Sequence, residues 1–461
     1  MRMVLAGTLA LITATLVALI GNRGLPFPTV PDDAVQYWVW GAWASGAAAM
    51  VVLLSGRRRR AGTGVLMLGA VLIGAAGLAG PPRFSDDSAR YAWDGIVTGS
   101  GVSPYAHPPV AAELRGLRPE WLFPRLETAA DGTPRCPDAR LTREVPGGAP
   151  LCTLINRPEV PTIYPPVAQG WFAAVRATVP REAQWWPMQL AGLGASFAVT
   201  LALVRGLRRH GLDDRWAALW AWSPFVAIEA VANAHIDTLG VLFALLATLV
   251  LTGGRPNSPT RRAWLGGLLL GLAAATKLVP LLAAPPLLRR YPGRVLAAAT
   301  ATVVVGYLPF VLAGGPDVLG YLPGYLAEER YADGSRFALL AALLPGPAVT
   351  WVALAVLALA AALSWWRADP AAPWHAQTVL AGVALLVVNP LYAWYALILV
   401  PFLALSRRWE WLVVPLALSI GDASAPRPWV LAVATVVVAS GSIGRLLRRR
   451  ARPMLEEDIR C

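Results

Sequence analysis

Several signatures of well-known enzyme classes are absent from the sequence. It contains no P-loop, no strand-embedded G-x-G-x-x-G, no H-E-x-x-H, no C-x-x-C pair and no G-x-S-x-G. The sequence therefore lacks the motifs of a nucleotide-phosphate-binding loop, of a zinc-binding helix and of a serine nucleophile elbow. Internal repeats are not evident either, which disfavours many transporter folds.

Charged residues are also scarce. Only 15% of the 461 residues are charged, whereas 56% are hydrophobic and the mean hydropathy is +0.52. Repeated apolar stretches of about 20 residues match the thickness of a bilayer's hydrocarbon core. The composition therefore predicts an all-α polytopic membrane protein. The net charge of +13 arises from short basic clusters between apolar runs. We therefore expect these clusters to set the membrane topology, and we expect no nucleic-acid partner.

The apolar runs predict a bundle of about 11 to 14 transmembrane helices, several of them short. The predicted spans are 3–20, 35–54, 62–80, 186–204, 215–231, 238–252, 263–276, 278–288, 294–313, 347–366, 375–391, 393–406, 411–421 and 429–444. We divide the chain into an N-terminal hairpin (1–60), a catalytic region (61–406) and a C-terminal hairpin with a basic tail (407–461).

Threading these spans places the basic clusters on one side of the membrane. The clusters are Arg57–Arg60; Arg205, Arg208 and Arg209; Arg261 and Arg262; Arg289 and Arg290; Arg407 and Arg408; and Arg448–Arg450. Because basic loops stay in the cytoplasm, this pattern predicts a cell-membrane protein with both termini cytoplasmic. Only Arg2 precedes the first span, and no small-x-small cleavage site follows it, so we expect a retained anchor.

The threading leaves one large extracytoplasmic loop, residues 81–185. It holds eleven Arg against eleven Asp and Glu, so it is not a polybasic lipid-binding segment. Cys136 and Cys152 lie in it, whereas Cys461 lies on the cytoplasmic side. Two cysteines in an oxidising compartment predict a disulfide, with two unpaired thiols as the alternative.

The loop begins with the segment SDDSARYAWDGIVTGSG, residues 85–101. A helix from Asp86 to about Thr98, stopped by the glycines that follow, would place four side chains within an arc of about 100°. These are Asp87, Arg90, Tyr91 and Asp94. This shared helical face predicts a functional site at the membrane surface. The alternative is an ordinary helix start, with acids in its first turn and an i,i+4 ion pair.

Three further segments reach the same surface. Residues 156–172 read NRPEVPTIYPPVAQGWF, a rigid stretch of prolines and aromatics. NAHIDT supplies Asn233, His235 and Asp237, and NPLYAWY supplies Trp394 and Tyr395. For the NAHIDT residues the alternative is a set of polar caps at a solvated turn. For Trp394 and Tyr395 the alternative is an aromatic belt at the membrane interface.

Lys277 is the only lysine in the sequence, and it lies between two apolar runs that contain prolines. A basic group in this position either extends its ammonium to the interface or holds an anion. Short, interrupted spans are typical of membrane-embedded binding sites, so both interpretations stay open.

These segments, taken in order, resemble the polyprenyl-phosphate-sugar-dependent membrane glycosyltransferases of the GT-C superfamily, in particular its bacterial mannosyltransferase-like members. The segments are SDDSARYAWDG, SPYAHPP, INRPEVPTIYPPVAQGWF, EAVANAHIDTLGVL, ATKLVPLL and NPLYAWYALILVPFL. The likeness covers most of residues 61–406. It implies a GT-C-like bundle with its active site outside the cytoplasm.

The resemblance implies transfer of a sugar, with mannose expected, from a polyprenyl phosphate to a glycan or lipid acceptor. Asp87 would be the base of an inverting displacement, and Lys277 with Arg336 would hold the leaving phosphate. The implied catalytic pair is Asp87 and Asp86, and the implied substrate-binding residues are Arg90, Tyr91, Asp94, Tyr105, His107, Tyr164, Asn233, His235, Asp237, Lys277, Arg336, Trp394 and Tyr395. No cofactor or metal ligand is expected, although assistance by a divalent metal at the paired acids stays open. The alternative function is a transporter or lipid flippase.

Overall fold

The structure is a computed structural model that describes residues 1–22, 33–56, 60–145, 150–253, 259–331, 334–344, 346, 348–420 and 428–458. Arg57–Arg59 of the first basic cluster, the last residue of the predicted span 411–421 and Cys461 lie outside the described residues. The fold is 71% helical with almost no sheet, which confirms the prediction of an all-α polytopic membrane protein.

Long helices form where the sequence has uninterrupted apolar runs. They are α1 (Arg2–Asn22), α2 (Asp33–Ser55), α3 (Arg60–Ala76), α6 (Trp186–Arg209), α9 (Asp237–Thr252), α10 (Pro259–Ala274), α12 (Pro292–Gly314), α15 (Ala348–Arg367), α16 (Trp374–Val388) and α19 (Pro428–Asp458). Two helices belong to the predicted outer loop: α4 (Asp87–Gly99) and α5 (Pro166–Ala177).

Short helices form where prolines interrupt apolar runs. They are α7 (Ala218–Ala221), α8 (Pro224–Val226), α11 (Ala284–Leu287), α13 (Leu322–Glu328), α14 (Ala338–Ala341), α17 (Leu399–Ser406) and α18 (Val413–Ile420). Between them run 3₁₀ segments Asp214–Ala217, Val279–Ala283, Gly315–Leu319, Ala393–Ile398 and Trp409–Leu412, and a π-helical turn Ala227–Ala232. Proline lacks an N–H and clashes with the preceding turn, which disfavours one continuous helix through such runs.

Among the described residues, six helices are long and apolar enough to cross a membrane, or up to seven if a pair bent by 115° counts as one span. The bent pair is Pro224–Ala232 with Asp237–Thr252. These helices are fewer than the 11 to 14 predicted, because apolar runs such as 278–288 fold as a 3₁₀ segment and a single helical turn. Four shorter apolar helices, of 10–17 residues, account for part of the difference.

Arginine side chains link several helix ends near the basic clusters. The guanidinium of Arg215 donates to the carbonyl of Gly56 at 2.8 Å, and that of Arg445 donates to the carbonyl of Arg407 at 3.0 Å. Arg289 similarly donates to the carbonyl of Trp365, 3.5 Å away. Each contact thus joins two helix ends near the predicted clusters. The placement of all clusters on one side of the membrane, and which side it is, stays a prediction.

The predicted outer loop forms a small lobe around α4. Its 3₁₀ segments are Ala112–Leu117 and Ala139–Leu141, and its antiparallel strand pairs are β1 (Glu127–Thr128) with β2 (Pro134–Arg135) and β3 (Thr142–Arg143) with β4 (Leu151–Cys152). Trp93 of α4 packs on Phe123 with ring centroids 4.8 Å apart. A disulfide joins Cys136 to Cys152. The lobe therefore has its own apolar cluster and a covalent brace.

The helix α4 begins at Asp87, directly after Asp86. An acid in the first turn interacts favourably with the positive end of the helix dipole. The helix ends at Gly99, and Gly101 adopts a left-handed φ of +82° that glycine tolerates best. Tyr91 stacks on Phe172 of α5 at 4.5 Å, so the two helices of the predicted outer loop pack against each other.

Candidate active site

A cavity of about 730 Å³ opens where α4 begins. Its size falls within the range of small-molecule sites. Seven of the residues singled out in the sequence line it: Asp86, Asp87, Arg90, Tyr164, Lys277, Trp394 and Tyr395. They come from four segments of the chain, which the fold brings to one place.

The turn that carries the two acids is held by Asn233. Its side-chain oxygen accepts hydrogen bonds from the backbone N–H groups of Arg83 and Phe84, at 3.3 and 3.2 Å. The hydroxyl of Ser85 accepts a further bond from the N–H of Asp87, at 3.2 Å. Asn233 is fully buried and lines no part of this cavity. It therefore positions the acids without facing the cavity.

Asp87 is surrounded by groups that favour its ionised form. The hydroxyl of Tyr91 donates to Oδ2 of Asp87 at 3.2 Å, and Nδ1 of His235 lies 3.5 Å from the same oxygen. Burial by itself would raise the pKa of Asp87, but the contact with His235 and the charges of His235 and Lys277 hold the pKa below its ordinary value. Asp87 is therefore a carboxylate at neutral pH.

Asp86 has a different environment. The amide of Asn156 donates a hydrogen bond to Oδ1 of Asp86. Burial and the charge of Asp87 nevertheless raise the pKa of Asp86 to about 6. Two adjacent carboxyl groups whose pKa values move in opposite directions are suited to different tasks in proton transfer.

His235 lies behind the cavity rather than in it. Its ring stacks on the indole of Trp394 with centroids 3.9 Å apart, and its Nε2 lies 3.3 Å from Oε2 of Glu229. The preceding residue, Ala234, has a left-handed φ of +55°. This turn, which follows the π-helical segment, directs the imidazole between Glu229 and Asp87.

Lys277 occupies the break between α10 and the 3₁₀ segment that follows it. Its Nζ lies 2.6 Å from Oδ2 of Asp237 and 4.8 Å from the ring centre of Tyr395. The ring of Tyr164 is 6.0 Å away on another side. The ammonium is thus held in place by a buried carboxylate and two aromatic faces.

A second cavity, of about 590 Å³, adjoins the first. Its walls come mainly from aliphatic side chains of α15 and of the segments after α10 and α12, such as Leu357, Leu278 and Leu319. The two cavities share a small set of lining residues: Ile163, Tyr164, Lys277, Tyr325 and Tyr395. The lysine therefore stands where a polar cavity meets an apolar one.

The ion pair of Arg90 and Asp94 has a buried position beside the cavity. Nε of Arg90 lies 2.9 Å from Oδ1 of Asp94, and its NH2 group donates to the carbonyl of Val160 at 3.1 Å. Asp94 also accepts a bond from Thr162 at 2.6 Å. The pair thus ties α4 to the proline-rich segment, and the contact to Asp87 is made by Tyr91 instead.

Three further predicted site residues line neither cavity. The hydroxyl of Tyr105 donates to the carbonyl of Tyr164 at 2.6 Å, so it supports a lining residue. His107 is half-buried in the loop lobe. Arg336 is buried in an ion pair with Glu329. Neither of the last two lines a cavity, and their predicted roles in binding stay predictions.

Sequence reasoning missed Arg157 and Glu229, which both line the polar cavity. Nε of Arg157 lies 2.8 Å from Oε2 of Glu328, and its backbone has a left-handed φ of +46°. Arg157 lies inside the NRPEVPTIYPP motif, which was a usable signal. Glu229 lies in an otherwise apolar helical run, where a buried acid is unusual. Among the described residues, no group of three or more His, Cys, Asp or Glu is arranged to hold a metal ion.

The fold and the site define a polytopic membrane protein in which a polar cavity with two carboxyl groups adjoins an apolar one. The sequence profile of glycosyltransferase family 87, a GT-C-type family of membrane glycosyltransferases, matches residues 162–390. This match, over just under half of the chain, supports the predicted GT-C-type membrane glycosyltransferase and disfavours a transporter. The match includes Lys277 and His235 and ends before Trp394. Searches of curated proteins and of solved structures found no match.

Proposed function

We propose that this glycosyltransferase moves a sugar, mannose, from a polyprenyl-phosphate carrier to a glycan or lipid acceptor. In this proposal the protein lies in the cell membrane with both termini in the cytoplasm. The polar cavity opens on the extracytoplasmic side, at the end of the bundle opposite the basic helix ends. Nucleotide sugars are not available there, so the donor must arrive within the lipid.

The observation that carries the proposal is the position of Lys277 between the two cavities. A polyprenyl-phosphate sugar has an apolar chain, one phosphate and a polar sugar, in that order. The apolar cavity suits the chain, Lys277 suits the phosphate, and the cavity with Asp86 and Asp87 suits the sugar. Tyr164 and Tyr395 line both cavities and can contact the donor on each side of its phosphate.

The chemistry that we propose is a single displacement at the anomeric carbon. An acceptor hydroxyl oxygen bonds to that carbon while the bond from the carbon to the phosphate oxygen breaks. The electron pair of the broken bond leaves with polyprenyl phosphate, which Lys277 stabilises. The hydroxyl proton passes to Asp87, and the anomeric configuration is inverted.

Arg157 supports this proposal as a second cation. It lines the polar cavity, whereas Arg336, the partner first expected for Lys277, is paired with Glu329 outside both cavities. We therefore propose that Arg157 rather than Arg336 assists Lys277. It would have to exchange part of its contact with Glu328 for a substrate oxygen.

The test is transfer of labelled sugar by the purified protein. Three donors are compared with a membrane-lipid extract as the acceptor: polyprenyl-phosphate mannose, polyprenyl-phosphate arabinofuranose and GDP-mannose. The proposal expects labelled product and free polyprenyl phosphate from the first donor only. Product from GDP-mannose would contradict a lipid-borne donor, and product from the arabinofuranose donor alone would replace mannose.

A further inference from the structure

Glu229 is a carboxylate with no role in the proposed chemistry, yet it is largely buried and lines the polar cavity. It belongs to the π-helical turn Ala227–Ala232, a rare geometry that occurs often at functional sites. Its Oε2 accepts a hydrogen bond from the amide of Asn233 at 2.9 Å. A buried carboxylate in an apolar helical run is costly, so its retention needs a compensating partner.

That partner is His235, which lies between two acids. Oε2 of Glu229 is 3.3 Å from Nε2 of His235, and Oδ2 of Asp87 is 3.5 Å from Nδ1. Both ring nitrogens are buried and form no hydrogen bond of ordinary geometry within the described residues. Contacts of this kind in the resting site often tighten when substrates bind.

The imidazole has little freedom to turn away from these acids. Its ring lies flat against Trp394, with an angle of 20° between the planes. The backbone N–H of His235 donates to the backbone carbonyl of Glu229 at 3.0 Å, which fixes the turn that carries the ring. The stacking and the turn therefore fix which nitrogen faces which carboxylate.

We propose that Glu229 is a positioning residue that acts through His235 to keep Asp87 oriented and ionised for proton transfer. This inference rests on the proposed role of Asp87 as the base. An imidazole with a carboxylate at each nitrogen is stabilised as a cation, and that cation favours the charged form of Asp87. The other titratable groups near Asp87 are Asp86, Lys277 and the hydroxyls of Tyr91, Tyr164 and Tyr392.

The first test is Glu229→Gln, which removes the charge and keeps the side-chain shape and an oxygen for Asn233. We expect kcat to fall by less than the about 10²- to 10⁴-fold expected for loss of the base itself, while KM for polyprenyl-phosphate mannose stays within about twofold, because Lys277 is unchanged. The basic limb of the pH–rate profile should move to lower pH, since the imidazolium has lost one of its two anions.

The matched control is Glu410→Gln. Glu410 is also buried and is paired with Arg408 and Arg445, but it lines neither cavity. This variant should leave the pH–rate profile where it is in the parent protein. An equal shift in both variants would mean that the loss of any buried acid has the same effect, and would overturn the inference.

A double variant separates positioning from a merely structural role. If Glu229 acts through His235, adding Glu229→Gln to His235→Gln should lower kcat no further, because residues that act as a unit are not additive. A loss of kcat in the double variant equal to the product of the two single losses, or an unchanged kcat in Glu229→Gln, would overturn the inference.

If Glu229→Gln does not fold, Glu229→Asp replaces it. This variant keeps the charge, so the basic limb of its pH–rate profile should stay at the pH of the parent protein. A fully active Asp87→Asn would instead contradict the proposed base itself.

Discussion

Nζ of Lys277 lies 2.6 Å from Oδ2 of Asp237, so the only lysine of the chain is one half of an ion pair at the junction of the two cavities. Both side chains are mostly buried, with exposed fractions of 14% for the lysine and 4% for the aspartate. Asp237 therefore fixes the position of the ammonium. One face of that ammonium can still turn to a phosphate in the shared part of the cavities.

The first prediction concerns this lysine. Lys277→Met should weaken binding of polyprenyl-phosphate mannose at least about tenfold, whereas Lys277→Arg should retain part of the affinity, because it keeps the charge but not the geometry. Donor affinity can be measured by the quenching of tryptophan fluorescence on titration.

Lys277→Met also leaves Asp237 buried without its partner, which is itself destabilising by about 3 to 5 kcal/mol. The double variant Lys277→Met with Asp237→Asn is therefore the matched control. It should recover thermal stability but not donor affinity. Recovery of both would mean that Lys277 is needed only for folding.

The second prediction concerns the two acids. Asp87→Asn should lower kcat about 10²- to 10⁴-fold, the usual contribution of a general base, and leave donor affinity near that of the parent protein. Asp86→Asn should cost less, since the proton is proposed to pass to Asp87 and not to Asp86. Turnover is measured with saturating donor and acceptor. Equal losses in the two variants would favour a function shared by the pair, such as metal binding.

The third prediction follows from the pKa of Asp86, which is raised from 3.8 to about 6. The folded protein holds this proton more tightly than the unfolded chain, so the group stabilises the fold fully below about pH 3.8 and loses that contribution as the pH rises through about 6. The melting temperature of the parent minus that of Asp86→Asn should therefore fall between pH 4 and pH 7.

Asp131→Asn is the control for that measurement. The carboxyl group of Asp131 is exposed, and its hydrogen bonds with Thr133 lower its pKa, so its contribution has the opposite sign. Its difference in melting temperature should not fall over the same range. A flat curve for Asp86→Asn would contradict the raised pKa.

The fourth prediction concerns the side of the membrane. A cysteine in place of Ala130, an exposed residue of the loop lobe, should react with an impermeant thiol reagent in intact cells. The matched variant Ala371→Cys, in the loop between α15 and α16 at the basic end, should react only after lysis. Both are made with Cys461→Ser to remove the remaining free thiol. The reverse labelling pattern would invert the proposed topology.

Features that depend on neighbouring residues could be predicted from the sequence. The class follows from apolar runs that match a bilayer, and helix α4 follows from acids at its start and glycines at its end. The helical arc placed Asp87 and Tyr91 on one face, four residues apart, and the two side chains do meet. Lys277 was distinctive because no other lysine exists. Each of these signals is contained within one turn or one span.

Only the tertiary structure decided which distant groups meet. Asp87 and His235 are far apart in the sequence, and no periodicity relates α4 to the π-helical turn that carries Glu229. The predicted helical face also did not determine which partner Arg90 would contact. Arg90 pairs with Asp94 and the proline-rich segment rather than with Asp87. A helix fixes directions around its own axis, whereas the neighbour in each direction is set by how the bundle packs. The cavity, its junction at Lys277 and the two acids on either side of His235 are products of that packing.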